Sequence, residues 1–144
     1  MAALLDTHAL YWLVNAVKPL ANGALVAIAE AQAANRLYVS PATAWELGVA
    51  AGKPPRADRP DLGDLPPSRW FREAMIVTGA RLVPIHQKIA LEAAEVVART
   101  GHKDPGDCFL IATARVRRLP IITRDRVMRE LAVADPTYLS VIEC

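Results

Sequence analysis

The chain has 144 residues, a length at which a folded protein buries roughly 70% of its unfolded surface, so one core and a single domain spanning 1–144 are expected. Hydrophobic residues make up 53% and aromatics 6%, which excludes a disordered chain and calls for a core of Ala, Leu, Ile and Val. A formal charge of +2 excludes little, but Cys108 and Cys144, without CxxC spacing, exclude a disulfide framework and a thiolate zinc site, which suits a reducing cytoplasm.

In chain order, residues 2–5 form a short apolar strand ending at Asp6, and 8–16 follow as a helix capped by Thr7. The opening stretch carries Asp6 in its middle, lacks a basic leader and falls short of the ~20 apolar residues of a membrane span, so neither secretion nor insertion is expected. An Ala-rich stretch, 20–34, leads to a second strand at 37–40. Ser40 and Pro41 then mark a helix start, because Ser satisfies free amides and Pro suits the first helical position, and the helix runs over 41–51. Residues 52–68 hold Pro54, Pro55, Pro60, Pro66 and Pro67 and read as a surface loop that gates a cleft or meets a partner.

A helix over about 68–78 precedes a third strand, RLVPI, and an amphipathic helix over 89–100. The helix DPGDCFLIATARV, the strand PIIT at 120–123, a short helix from Asp125 and a last strand, YLSVI, complete the pattern. Short apolar strands alternating with helices predict an α/β fold with a parallel sheet covered on both faces. Ligands in such folds bind beyond the carboxyl ends of the strands.

Four acids suit that place. Asp6 closes the first strand and is the only charged residue before Lys18. Glu46 is the sole charge between positions 36 and 53, in a helix with Ala42, Trp45, Leu47, Val49 and Ala50 whose other faces read as buried, and an unpaired carboxylate there needs a partner. Asp107 lies in the first turn of a helix, where anions are favoured. Asp125 follows PIIT almost directly, at the same edge as Asp6 if the two strands are parallel neighbours.

Carboxylates crowded to ~5 Å repel by roughly 3 kcal/mol per pair at an effective dielectric of 20, so such a cluster calls for a cation. Oxygen-only ligands select Mg²⁺ or Mn²⁺, ions that serve phosphodiester hydrolysis. Read one at a time, Asp6 is also a turn residue, Glu46 the partner of an Arg, and Asp107 and Asp125 helix caps; the four together point to one site. Asp104, before Pro105, reads first as a helix N-cap and second as a metal ligand. Thr7 adjoins Asp6 with a hydroxyl suited to orienting a metal-bound water. His8, His86 and His102 lack paired ligand spacing and are not assigned to the metal. With four of 15 acids set aside, 17 Lys and Arg favour a polyanionic partner, and Arg115, Arg117, Arg118, Arg124, Arg126 and Arg129 are expected to position its backbone. An aspartate-nucleophile phosphoryl-transfer site is disfavoured, because position 8 is His where a second Asp is wanted.

LLDTHALYW, SPATAWELG, HKDPGDCFLIATA and LPIITRD, in that order between about residues 3 and 142, resemble the successive signatures of PIN-domain proteins, specifically VapC-type toxins of toxin-antitoxin modules. The resemblance implies a three-layer α/β/α sandwich around a mainly parallel sheet. It implies a Mg²⁺- or Mn²⁺-dependent endoribonuclease that inhibits translation, and it places Asp6, Glu46, Asp107 and Asp125 on the acidic quartet and Thr7 on its hydroxyl position. It further implies a transfer or ribosomal RNA substrate, a homodimer, and a cognate antitoxin that supplies contact with DNA. Gly106 and Cys108 depart from it, standing where many relatives carry a bulky residue and an Arg. The alternative is a catalytically weak binding module that acts by forming a complex with a protein partner.

Overall fold

The computed structural model describes residues 1–54 and 59–144, so residues 55–58 of the proline-rich loop expected at 52–68 lie outside the described residues. Five strands are present: β1 (Ala3–Leu5), β2 (Leu37–Val39), β3 (Arg81–Leu82), β4 (Ile121–Thr123) and β5 (Val141–Glu143). They form one sheet in the order β3-β2-β1-β4-β5, and every neighbouring pair is parallel. The helices are α1 (Thr7–Asn15), α2 (Asn22–Ala33), α3 (Pro41–Ala51), α4 (Pro67–Thr78), α5 (Gln87–Thr100), α6 (Pro105–Arg117) and α7 (Arg126–Ala134).

Alternation along the strands sorts the core into two. Ala3, Leu5, Leu37, Val39 and Ile122 face a layer made by α1 to α4, with Leu10, Ile28, Leu47 and Trp70 packed on them. Leu4 and Ile121 point the other way, onto Ile89, Val96, Ile111 and Met128 of α5, α6 and α7. The result is an α/β/α sandwich. The chain lays β1, β2 and β3 outward in one direction, then crosses under β1 to place β4 and β5 on its far side. Right-handed crossovers taken in opposite directions put helices on opposite faces, which accounts for the division of the layers.

Local chemistry explains most boundaries. Ser40 caps α3 by accepting from the Ala42 N–H, with Pro41 in the first turn. Pro84 has no N–H to continue a ladder, so β3 is shorter than the expected RLVPI, although the Val83 N–H still donates to the Val39 carbonyl. The last strand begins later than YLSVI, because Tyr138 is held in a turn by Asp135, whose backbone and side-chain oxygens both accept its N–H. Two further expectations are corrected. The N-cap of α1 is Asp6, not Thr7, since Asp6 has extended backbone and accepts from the Ala9 N–H at 2.7 Å. The faces of α3 around Glu46 are not all buried: Trp45 and Val49 are 55% and 41% exposed. Among the described residues no helix is long and apolar enough to cross a membrane.

Candidate metal centre

The two strand ends that flank the point where the sheet order reverses belong to β1 and β4. Their register pairs Leu4 with Ile121 and Leu5 with Ile122, so the next step sets Asp6 beside Thr123. The Thr123 hydroxyl accordingly donates to Asp6 Oδ2, and the Asp125 N–H donates back to the Thr123 oxygen at 3.0 Å. Asp125 caps α7 through Met128. A strand register and two helix caps thus bring Asp6 and Asp125 to one carboxyl edge, the crevice where open α/β sheets bind ligands.

From the same edge of β2, α3 carries Glu46 inward. The Thr7 hydroxyl, freed from capping because Asp6 performs it, donates to Glu46 Oε1 at 2.7 Å and lies 3.1 Å from the Thr43 hydroxyl. The third arm is the start of α6, where Asp104 accepts from the Asp107 N–H at 3.0 Å. Oxygens of Glu46, Asp104 and Asp107 approach within 4.8 Å of one another. Asp6 and Asp125 stand outside that trio but inside its field. Burial raises the Asp6 pKa above its ordinary value, against the pull of the Thr123 and Ala9 hydrogen bonds, and the Asp125 charge raises it further.

The trio has the electrostatics of a site short of positive charge. Glu46 is pushed up to about 7, first by burial and then by the charges of Asp107, Asp104 and Asp6, against the Thr7 hydrogen bond. Asp107 is raised too, first by burial, with Asp104 and Asp125 adding to it and His102 opposing. Such groups stay protonated or recruit a cation. The donor set is oxygen only, which fits a hard divalent ion.

Three participants stand outside the quartet read from the sequence. Asp104 does cap α6, and it also joins Glu46 and Asp107. His102 was left unassigned, yet its Nε2 lies 2.8 Å from Asp107 Oδ2, and it donates there when Asp107 is ionised. Gly106 is the third, since a Cβ there would stand 2.5 Å from Glu46 Cδ and 2.7 Å from Oε1. The missing side chain at Gly106 leaves the space that the Glu46 carboxylate occupies. The departure itself was the available signal for Gly106; nothing in the HKDPGD spacing marks His102, whose contact depends on the turn between α5 and α6.

Four of the arginines expected to position an RNA backbone also make contacts within the chain. Arg115 donates to Glu92 at 2.6 Å and to the Tyr138 carbonyl, Arg129 pairs with Glu143, and Arg126 with Glu130. Arg124 reaches the layer of α1, where its guanidinium lies 4.5 Å from the Trp12 ring centroid. These four of the six arginines therefore have partners within the chain.

A family model described as PIN domain matches residues 3–134. Among solved structures, a toxin-antitoxin complex from Klebsiella pneumoniae is similar at 23% identity and TM-score 0.58, covering 98% of this chain and 96% of that one. DNA-bound VapBC from Salmonella typhimurium is similar at 19% identity and TM-score 0.64, with 99% and 98% covered. VapBC2 from Rickettsia felis, bound to a DNA fragment from its promoter, is similar at 11% identity and TM-score 0.66, again with 99% and 98% covered. Likeness at these identities is likeness of fold. Comparison with curated proteins gave no match.

Proposed function

The chain belongs to the PIN domain family, and on that premise we propose that it is a Mg²⁺- or Mn²⁺-dependent endoribonuclease, the toxin of a toxin-antitoxin module. The observation that carries the reading is the meeting of Glu46, Asp104 and Asp107 within 4.8 Å, beside Asp6 and Asp125, at the switch point of a parallel sheet. Asp6, Glu46, Asp107 and Asp125 hold the cation charge, with Asp104 as a fifth acid. When bound, such an ion neutralises charge on phosphoryl oxygens and lowers the pKa of its water.

The residues of the chain divide the work in this scheme. Thr7 fixes the Glu46 carboxyl by donating to its Oε1. His102 fixes Asp107. Thr123 holds Asp6 so that its burial leaves no oxygen to wander. The substrate is RNA, with transfer or ribosomal RNA as its class, and the consequence is inhibited translation in the cytoplasm.

Of the similar solved structures, one is a toxin-antitoxin complex and two are VapBC assemblies bound to DNA. By extension this chain has a cognate antitoxin partner and meets DNA only through it. A homodimer accords with exposed Ile76 and Val77, each 74% accessible. The test is direct: Asp6→Asn and Asp107→Asn should abolish Mn²⁺-dependent RNA cleavage while keeping the thermal transition of the parent. Full cleavage by either purified variant would refute the assignment.

A binding module with a silent pocket is the second reading, favoured by exposed Trp45, Ile76, Val77 and Val133. Under it, the protein co-purifies with a partner and shows no metal-stimulated cleavage of any RNA.

A further inference from the structure

Beside the acid cluster lies a cleft that the metal chemistry does not use. Thr7 and Glu46 stand on its wall, and beyond them it is lined by His8, Trp12, Ala50 and Lys53. Its volume is about 200 Å³. Pockets for drug-sized ligands run to roughly 300–1,000 Å³, so one planar heterocycle suits it better than a larger molecule.

The chemistry of the lining narrows the occupant. His8 is exposed, and its ring centroid lies 5.4 Å from that of Trp12, which makes an aromatic surface along one wall. Positive charge flanks that surface: Lys18 Nζ lies 5.3 Å and the Arg124 guanidinium 4.5 Å from the Trp12 ring centroid, and Lys53 stands at the rim. Leu47 and Ala50 are apolar and Thr7 carries a hydroxyl. An aromatic face beside cations is the combination that binds unpaired bases and their phosphates. An extended peptide gains its main-chain hydrogen bonds along a sheet edge, whereas α1, α3 and the loop residues Pro54, Arg59 and Pro60 line this cleft.

We propose that the cleft between α1 and α3 is a subsite for the nucleobase next to the scissile phosphate, stacked on His8. The proposal rests on the nuclease reading and deepens it. Glu46 belongs to both the cluster and the cleft wall, so a base seated there brings its own phosphate to the acids.

The experiment measures binding of a fluorescein-labelled, single-stranded RNA octamer by anisotropy, in an Asp107→Asn background so that it is not cut, alongside the same octamer made abasic at each position in turn. His8→Ala and Ala50→Trp, the second of which fills the cleft, should each weaken binding of the parent octamer about tenfold or more. One abasic position should cost as much, and combining it with His8→Ala should cost little further. Calorimetric Mn²⁺ affinity of Ala50→Trp, made without the Asp107 change, should stay within threefold of the parent. If every abasic octamer binds like the parent, or if the variants weaken all octamers alike, the cleft does not read a base and the proposal is overturned. Cleavage of the octamer by the otherwise native chain with Mn²⁺ shows whether the nuclease reading survives that result; absence of both cleavage and binding sinks the two together.

Discussion

Gly106→Ala isolates one close approach. The added Cβ would meet Glu46 Cδ at 2.5 Å and Cγ at 2.9 Å, against a favourable carbon separation of about 3.5 Å, so the carboxyl must retreat by about 1 Å. It then leaves the Thr7 hydroxyl, now 2.7 Å away, and loosens its approach to Asp104 and Asp107. A misplacement of that size in a reacting constellation costs about 100-fold, which is the loss expected in kcat/KM for Mn²⁺-dependent RNA cleavage. Stability should move little, because Ala is favoured over Gly inside a helix by about 1 kcal/mol and offsets part of the repacking. Calorimetric Mn²⁺ titration, thermal melting and cleavage assays on the one variant separate these effects. Adding Glu46→Asp, which withdraws the carboxyl by a methylene, should restore part of the affinity. Wild-type Mn²⁺ affinity and cleavage in Gly106→Ala would show that the Glu46 position against the start of α6 does not matter to the site.

Other expectations follow from the same geometry. The rise of Glu46 from 4.5 to about 7 means that the folded, metal-free protein holds a proton that the unfolded chain releases. Stability should therefore be greatest below about pH 4.5 and fall as pH rises through 7, by ~3 kcal/mol at full effect and roughly 1–2 kcal/mol for a carboxyl still open to solvent. Saturating Mn²⁺ should reverse the decline, by about 2.7 kcal/mol at 100 times its Kd; melting temperatures between pH 5 and 8 that rise without metal would contradict this. His102→Ala should weaken Mn²⁺ binding 10- to 100-fold with little change in melting, and His102→Gln, which keeps a donor, should recover most of it. If the two variants bind Mn²⁺ equally, His102 does not position Asp107. Ser40→Ala removes a cap and should cost ~1 kcal/mol in denaturant unfolding, with Mn²⁺ affinity unchanged.

Much of the fold was legible because its signals are local. Ser40-Pro41 announced α3, and the apolar run at 120–123 announced β4, whose described span is Ile121–Thr123. The start of α1 was ambiguous because Asp6 and Thr7 are both capping types, and the extended backbone at Asp6, set by β1, decided between them. Trp45 and Val49 misled for another reason. An apolar side chain reports a preference for burial, but α3 packs against α1, α4 and α6, and these do not cover every side of it.

By itself the sequence determined the alternation of strands and helices and the isolation of Asp6 and Glu46 among apolar neighbours, because secondary structure and the cost of a lone charge depend on residues near in the chain. Only the tertiary structure decided that Asp104 joins Glu46 and Asp107, that His102 holds Asp107, that Gly106 makes room for Glu46, and that Arg115 and Arg129 pair with Glu92 and Glu143. Those relations are distances between side chains on different elements. They come into being when the parallel register of β1 and β4 and the packing of α3 on α6 bring the ends of those elements together.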